Sequence, residues 1–157
     1  MPLRRRRGEL TPQTVHPGRR LTCAFCEIIA GRAPADVICE DERTIAFVDL
    51  RQANPGHALV VPRAHVRDAR ELDAETGAAL MDTLVRVLRA VDRAFPNEGL
   101  SVWHSIGPAA FQEVLHLHLH VIPRRENDGL LGVYPADPED ADEETRADVA
   151  RRIREYL

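Results

Sequence analysis

Apolar and polar positions along the chain change their period several times, and each change marks an element. Asp36 to Cys39, Arg43 to Val48 and His57 to Val61 are short apolar runs of strand length. A loop over Gln52 to Gly56, built on Asn54-Pro55-Gly56, separates the second from the third. From Asp73 to about Phe95 the period becomes helical. Leu80, Leu84, Val87, Leu88, Val91 and Phe95 share one face, Asp73 is placed to cap the start, and Pro96 stops the run. Cys23 to Ala30 predicts a short helix or turn ended by Gly31, and Leu100 to His104 predicts a strand. Val114 to Ile122 has the clearest two-residue alternation in the chain. Residues 134–144 are acidic and contain proline, as a linker or helix entry would be. A last helix is expected from about Asp142 to Tyr156, its acidic start and Arg-rich end suiting the helix dipole. Val149, Ile153 and Leu157 would form its buried stripe.

The alternation near residue 118 carries chemistry. In His116-Leu117-His118-Leu119-His120-Val121-Ile122, a strand puts the three histidines on one face and Leu117, Leu119 and Val121 on the other. Successive imidazoles then stand about 7 Å apart, at roughly 3.3 Å per residue. Three ring pairs of nitrogens on one face need partners, because burying them unpaired is costly. Two chemistries fit. Alternating histidines can chelate a catalytic zinc ion, or a neutral imidazole can attack phosphorus while its neighbours hold the phosphate oxygens. Spacing alone does not separate them.

Composition narrows the field. The 157 residues suit one domain, and residues 1–20, with the cluster Arg4 to Arg7, read as a flexible arm ahead of a domain spanning 21–157. All 21 basic residues are Arg, so no lysine chemistry is available, neither a Schiff base nor a P-loop lysine. A net charge of -4 argues against binding nucleic acid over the whole surface. No apolar run reaches membrane-spanning length, and no apolar stretch follows the basic start as in a signal peptide, so a cytoplasmic protein is expected. Three cysteines are a poor match for a disulfide framework; Cys23-x-x-Cys26 has a spacing that serves metal or redox chemistry, and Cys39 reads as a small buried residue.

The run from Gln112 through the three histidines to Arg124 resembles the signature of the histidine-triad family. That signature is His-φ-His-φ-His-φ-φ, with φ apolar and Gln four residues before the first His. Cys23 to Gly31, Ala46 to Leu50 and Pro55 to His65 resemble the family's earlier blocks in the right order, so the likeness covers about residues 23 to 125. It implies an α+β fold: an antiparallel sheet of about five strands, a long packed helix and a C-terminal helix, in a homodimer. The one-sided alternation near residue 118 suggests a sheet with one buried face.

The resemblance also implies roles. His118 would attack an α-phosphate, and water would then release a nucleoside monophosphate. His120 and His57 would orient phosphate oxygens, Asp49 would accept bonds from ribose hydroxyls, and Gln112 would sit near the phosphate and leaving group. Phe25, Ile28, Phe47, Leu50 and Val114 would line a purine slot, with Ser105 near the phosphate. Cys23, Cys26, His65 and His116 would form a closed structural zinc site in a bacterial-type subset of the family, giving His116 a structural place in the triad.

Three positions depart from the commoner pattern: Ser105 for Asn, Phe111 for Gly, and Glu113 for Ser. The Phe111 side chain would reshape the phosphate loop, and a carboxylate at Glu113 would repel a polyphosphate or select a basic amine. The implied activity is hydrolysis of a purine nucleoside phosphoramidate or similar adenylated compound. The rivals are dinucleoside polyphosphate cleavage, a nucleotide- and zinc-binding module with little turnover, and a metal-dependent hydrolase that uses the triad as ligands.

Overall fold

Five antiparallel strands form one sheet in the order β1-β2-β3-β5-β4. They are β1 Val37–Glu40, β2 Thr44–Val48, β3 Ala58–Pro62, β4 Gly99–Trp103 and β5 Leu119–Arg124. The structure is a computed structural model that describes residues 23–130 and 138–157; the Arg-rich arm and part of the acidic linker lie outside them. Strands β2 and β3 are buried on both faces, which the alternation of their side chains explains. Ala46, Ala58 and Val60 point to one side, with Leu117 and Val121, against the helix residues Leu80, Leu84, Val87 and Val91. Ile45, Phe47, Leu59 and Val61 point to the other side, against Phe25. The expectation of a single buried face is therefore corrected: the amino-terminal segment covers the second one.

The long helix α2 spans Ala74–Ala94, and Asp73 caps it by accepting from the Thr76 N–H at 2.8 Å. Of the predicted stripe, Leu80, Leu84, Val87 and Val91 are buried, each contributing about 1.5–3 kcal/mol, while Leu88 is half-buried and Phe95 is exposed beyond the helix end. Phe95 follows the helix and packs on Gly56, where a Cβ would come within 2.6 Å of the ring. Gly56 also holds φ +98, so the turn before β3 needs glycine twice over. A buried hydroxyl pair, Thr44 and Thr83 at 2.8 Å, ties α2 to β2.

The triad strand is shorter than its alternation suggests, beginning at Leu119 rather than Val114. Pairing with β3 runs only from Ala58↔Val121 to Val60↔Leu119. Beyond that point Pro62 has no N–H to give, the Leu117 N–H turns to the Val66 carbonyl at 2.7 Å, and the His116 ring takes the Pro62 carbonyl. Side chains still alternate from His116 onward, with Leu117 and Val121 in the helix-side core.

The chain divides into two compact units, the second being Arg125–Leu157. That unit carries α3, Glu143–Arg154, capped by Asp142 accepting from the Thr145 N–H at 2.7 Å. The expected buried stripe is absent: Val149 and Ile153 are exposed, and Leu157 lies beyond the helix end. The helix has only two large apolar positions among its charged ones, too few to bury a face.

Candidate active site

Two groups of side chains meet on the sheet face opposite α2. The first begins at Cys23, the residue before the short helix α1, Ala24–Ile29. That turn brings Cys23 and Cys26 to His116 and His65. Cys23 Sγ lies 3.4 Å and Cys26 Sγ 3.6 Å from His116 Nδ1, and Cys26 Sγ lies 3.2 Å from His65 Nδ1. The four ligand atoms all fall within 4.8 Å of one another. A tetrahedron with metal–ligand bonds of about 2.1–2.3 Å has edges of roughly 3.4–3.8 Å, so the group is already near the size zinc requires. His116 is fully buried, and its Nε2–H donates to the Pro62 carbonyl at 2.8 Å. That bond leaves Nδ1 unprotonated and aimed at the sulfurs, as a metal ligand must be. Burial, then the neighbouring Cys23, pushes the Cys26 thiol up, so a cation is what would hold this sulfur as a thiolate.

The second group is built on the turn from Asp49 to His57. Gln52 pins it, donating to the Asp49 and His57 carbonyls at 2.7 Å each and accepting from the Gly56 N–H at 3.0 Å. Asp49 Oδ1 accepts from the Arg51 N–H at 2.8 Å. Its Oδ2 faces His57 Nε2 at 3.4 Å and His120 Nδ1 at 3.8 Å. So Asp49 both closes the turn and faces the histidines. His57 Nδ1–H donates to the Arg51 carbonyl at 3.1 Å, which leaves Nε2 to accept from His120 Nδ1–H at 2.9 Å. His118 is nine-tenths buried and edge-on to Phe25, and its Nδ1–H donates to the His116 carbonyl at 2.7 Å. The lone pair of His118 therefore sits on Nε2, which has no hydrogen-bond partner among the described residues. Burial is the first cause that lowers the pKa of His57, His118 and His120, with His120 pushed down to about 4. Near neutral pH all three are neutral imidazoles.

A cavity of about 760 Å³ opens in front of His118 and His120, while His57 stays behind His120 and outside the lining. Phe25, Ile28, Phe47, Asp49, Leu50 and Val114 line it together with His118 and His120. Of the expected nucleotide-contacting residues, only Ser105 is not among its lining. Gln112 also stays out of the lining and acts as a tie instead. Its Oε1 accepts from the Gly107 N–H at 2.9 Å and its Nε2 donates to the Arg67 carbonyl at 2.7 Å. Glu113 lines the cavity but is ion-paired to Arg51, with one contact of 3.4 Å and a second, shorter one. Arg51 holds the Glu113 carboxyl below its usual range, so its charge is offset rather than presented to a ligand. Phe111 keeps the left-handed backbone its position demands, φ 63, at a cost of about 1–2 kcal/mol for a residue with a Cβ.

Sequence reasoning missed His104. Its Nδ1–H donates to the His118 carbonyl at 3.1 Å, and its Nε2 accepts from the Ala69 N–H at 3.2 Å. A single His at a strand end carries no periodic signal, so only the fold brings it to light.

The family model described as the HIT domain matches residues 30–127. The chain belongs to the HIT domain family. A crystal structure of a HIT family member from Bacillus subtilis is 33% identical, covering 86% of this chain and 96% of that one, with a TM-score of 0.80. The adenosine 5'-monophosphoramidase hnt1 of Schizosaccharomyces pombe is 33% identical over 76% of this chain and 90% of its own length. A crystal structure of a Zn-bound histidine triad family protein from Mycobacterium smegmatis is 35% identical, with a TM-score of 0.62 over 85% of this chain and 96% of its own. The HIT match spans the sheet, α2 and both histidine groups, but begins after Cys23 and Cys26. The thiol half of the possible metal site thus lies outside the matched residues.

Proposed function

We propose that this HIT protein is a nucleotide hydrolase that cleaves at the α-phosphate of a purine nucleoside phosphoramidate or similar adenylated compound through a nucleotidyl-histidine intermediate. The observation that carries the proposal is the state of His118: Nδ1–H is committed to the His116 carbonyl, which leaves the lone pair on Nε2, and the ring lines the cavity beside His120, whose Nδ1 meets His57. A neutral ring so held is a nucleophile that needs no base to ionise it. Phe25, Ile28, Phe47, Leu50 and Val114 suit a purine, and Asp49 suits the ribose hydroxyls. The name of the Schizosaccharomyces relative agrees with this substrate class.

In the first step a bond forms between His118 Nε2 and phosphorus as the bond to the leaving nitrogen breaks. The leaving amine takes that electron pair and a proton from solvent. The imidazole keeps Nδ1–H on the His116 carbonyl and carries positive charge. Water then bonds to phosphorus, the pair in the phosphorus–Nε2 bond returns to the ring, and one water proton goes to solvent. His57 and His120 share one proton across 2.9 Å, and a phosphate beside them would favour their protonated form, which supplies a donor for the charge on phosphorus. Cys23, Cys26, His65 and His116 would hold Zn²⁺ as a closed four-ligand site whose contribution when bound is structural. Quenching a single turnover with denaturant at alkaline pH, where a phosphorus–imidazole bond survives, followed by peptide mass analysis, tests the pathway. An adenylyl group on the peptide carrying His118 is expected; AMP formation with no adduct, or an adduct elsewhere, contradicts it.

A further inference from the structure

Phe111 stands at the mouth of the cavity that holds His118 and His120, with 81% of its surface exposed. The loop around it is fixed. Phe111 N–H donates to the Pro108 carbonyl at 3.0 Å and Gln112 N–H to the Gly107 carbonyl at 3.1 Å, while the Gln112 side chain ties the loop to Arg67 and Gly107. A bulky residue held at φ 63, where glycine would be relaxed, with its ring in solvent, gains nothing for the fold. Beside it on the rim, Arg51 and Glu113 neutralise each other. An anionic leaving group would have to compete for that Arg, whereas an uncharged ring leaves the pair intact.

We propose that Phe111 is a specificity-determining residue that receives the leaving group, selecting nucleoside phosphoramidates whose amine carries an uncharged aromatic ring. The proposal rests on the hydrolase assignment above, because it takes the leaving group to exit at this rim. Ring-on-ring contact supplies the discrimination, through offset-stacked or edge-to-face pairing. Polyphosphate leaving groups, which lack a ring next to the scissile bond, gain nothing from it.

Two amides of AMP, N-phenethyl and N-methyl, carry the same charge and differ only by the ring and its linker. Calorimetry measures their binding to the His118→Ala protein, alone and combined with Phe111→Gly or Phe111→Tyr. Glycine relieves the left-handed backbone, so this variant keeps the loop. The phenethyl amide is expected to bind roughly three- to tenfold tighter with Phe or Tyr at position 111, and about equally to the methyl amide with Gly. A preference that persists in Phe111→Gly, its absence with Phe111 in place, or failure of the phenethyl amide to bind overturns the proposal. Turnover by the wild-type protein is scored separately. If neither amide releases AMP, the hydrolase assignment fails, while the binding ratio still decides the role of Phe111.

Discussion

His118 and His116 are joined through the ring of one and the backbone of the other: His118 Nδ1–H donates to the His116 carbonyl at 2.7 Å. The same His116 gives its Nε2–H to Pro62 and turns Nδ1 to the two cysteines. One buried residue therefore sets the orientation of the candidate nucleophile and one corner of the candidate metal site. Two neighbouring functions that look independent along the sequence are coupled through it.

Metal removal follows from that coupling. Purified protein is expected to contain about one zinc per chain by elemental analysis, because four donors fit one tetrahedral site. Chelation, or Cys26→Ala, is expected to lower the thermal midpoint by at least about 5 °C, more than 1 kcal/mol at this chain length. Activity should fall as structure is lost, not before it. Instant loss of activity with an unchanged midpoint would point to a catalytic ion at Asp49, His57 and His120 instead.

The pH dependence has a definite sign. His57 and His120 are both held below the ordinary histidine value of 6.5, His120 to about 4, chiefly by burial. The groups facing His120 are His118, His57, Asp49 and Arg51, and Asp49 alone among them favours its charged form. Between about 4 and 6.5 the unfolded chain binds more protons than the folded one. Stability contributed by these rings is thus complete above 6.5 and is lost as pH falls toward 4. Urea midpoints across that range should decline, and decline less steeply in His120→Asn. A flat profile, or an equal slope in the variant, would contradict the assignment.

Gln112 separates a tie from a catalytic contact. Its amide satisfies Gly107 and Arg67 on two sides of the loop that carries Phe111 and Glu113. Gln112→Ala is expected to cost about 1–3 kcal/mol in urea unfolding, from two lost hydrogen bonds, and to raise KM as the cavity rim loosens. A large fall in kcat with unchanged stability would instead place the amide on the leaving group.

Much of this arrangement is legible in the sequence because it is written in periods. The stripe Leu80, Leu84, Val87, Val91 predicts α2 and its buried face, and Asp73 and Pro96 mark its ends. The alternation around His118 predicts which side chains share a face, although not where pairing stops, since that depends on Pro62 and Val66, far away in sequence. The final helix misleads for a related reason: Val149 and Ile153 have helical spacing, yet two apolar residues do not make a buried face. The Cys23, Cys26, His65 and His116 cluster and most of the cavity lining follow from family resemblance rather than from spacing. His104, the Arg51–Glu113 pair and the Gln112 tie need tertiary structure, because each joins segments whose separation in sequence carries no pattern.

In the proposed mechanism His118 is the nucleophile of a nucleotide hydrolase. AMP release from an adenosine phosphoramidate, by the wild-type protein and by His118→Ala, tests it most directly. Turnover by the wild type that falls by roughly three orders of magnitude or more in a folded His118→Ala protein is the predicted result. Activity that survives in His118→Ala would contradict the mechanism, and a wild-type protein that binds AMP without turning over the amide would contradict the enzyme assignment itself.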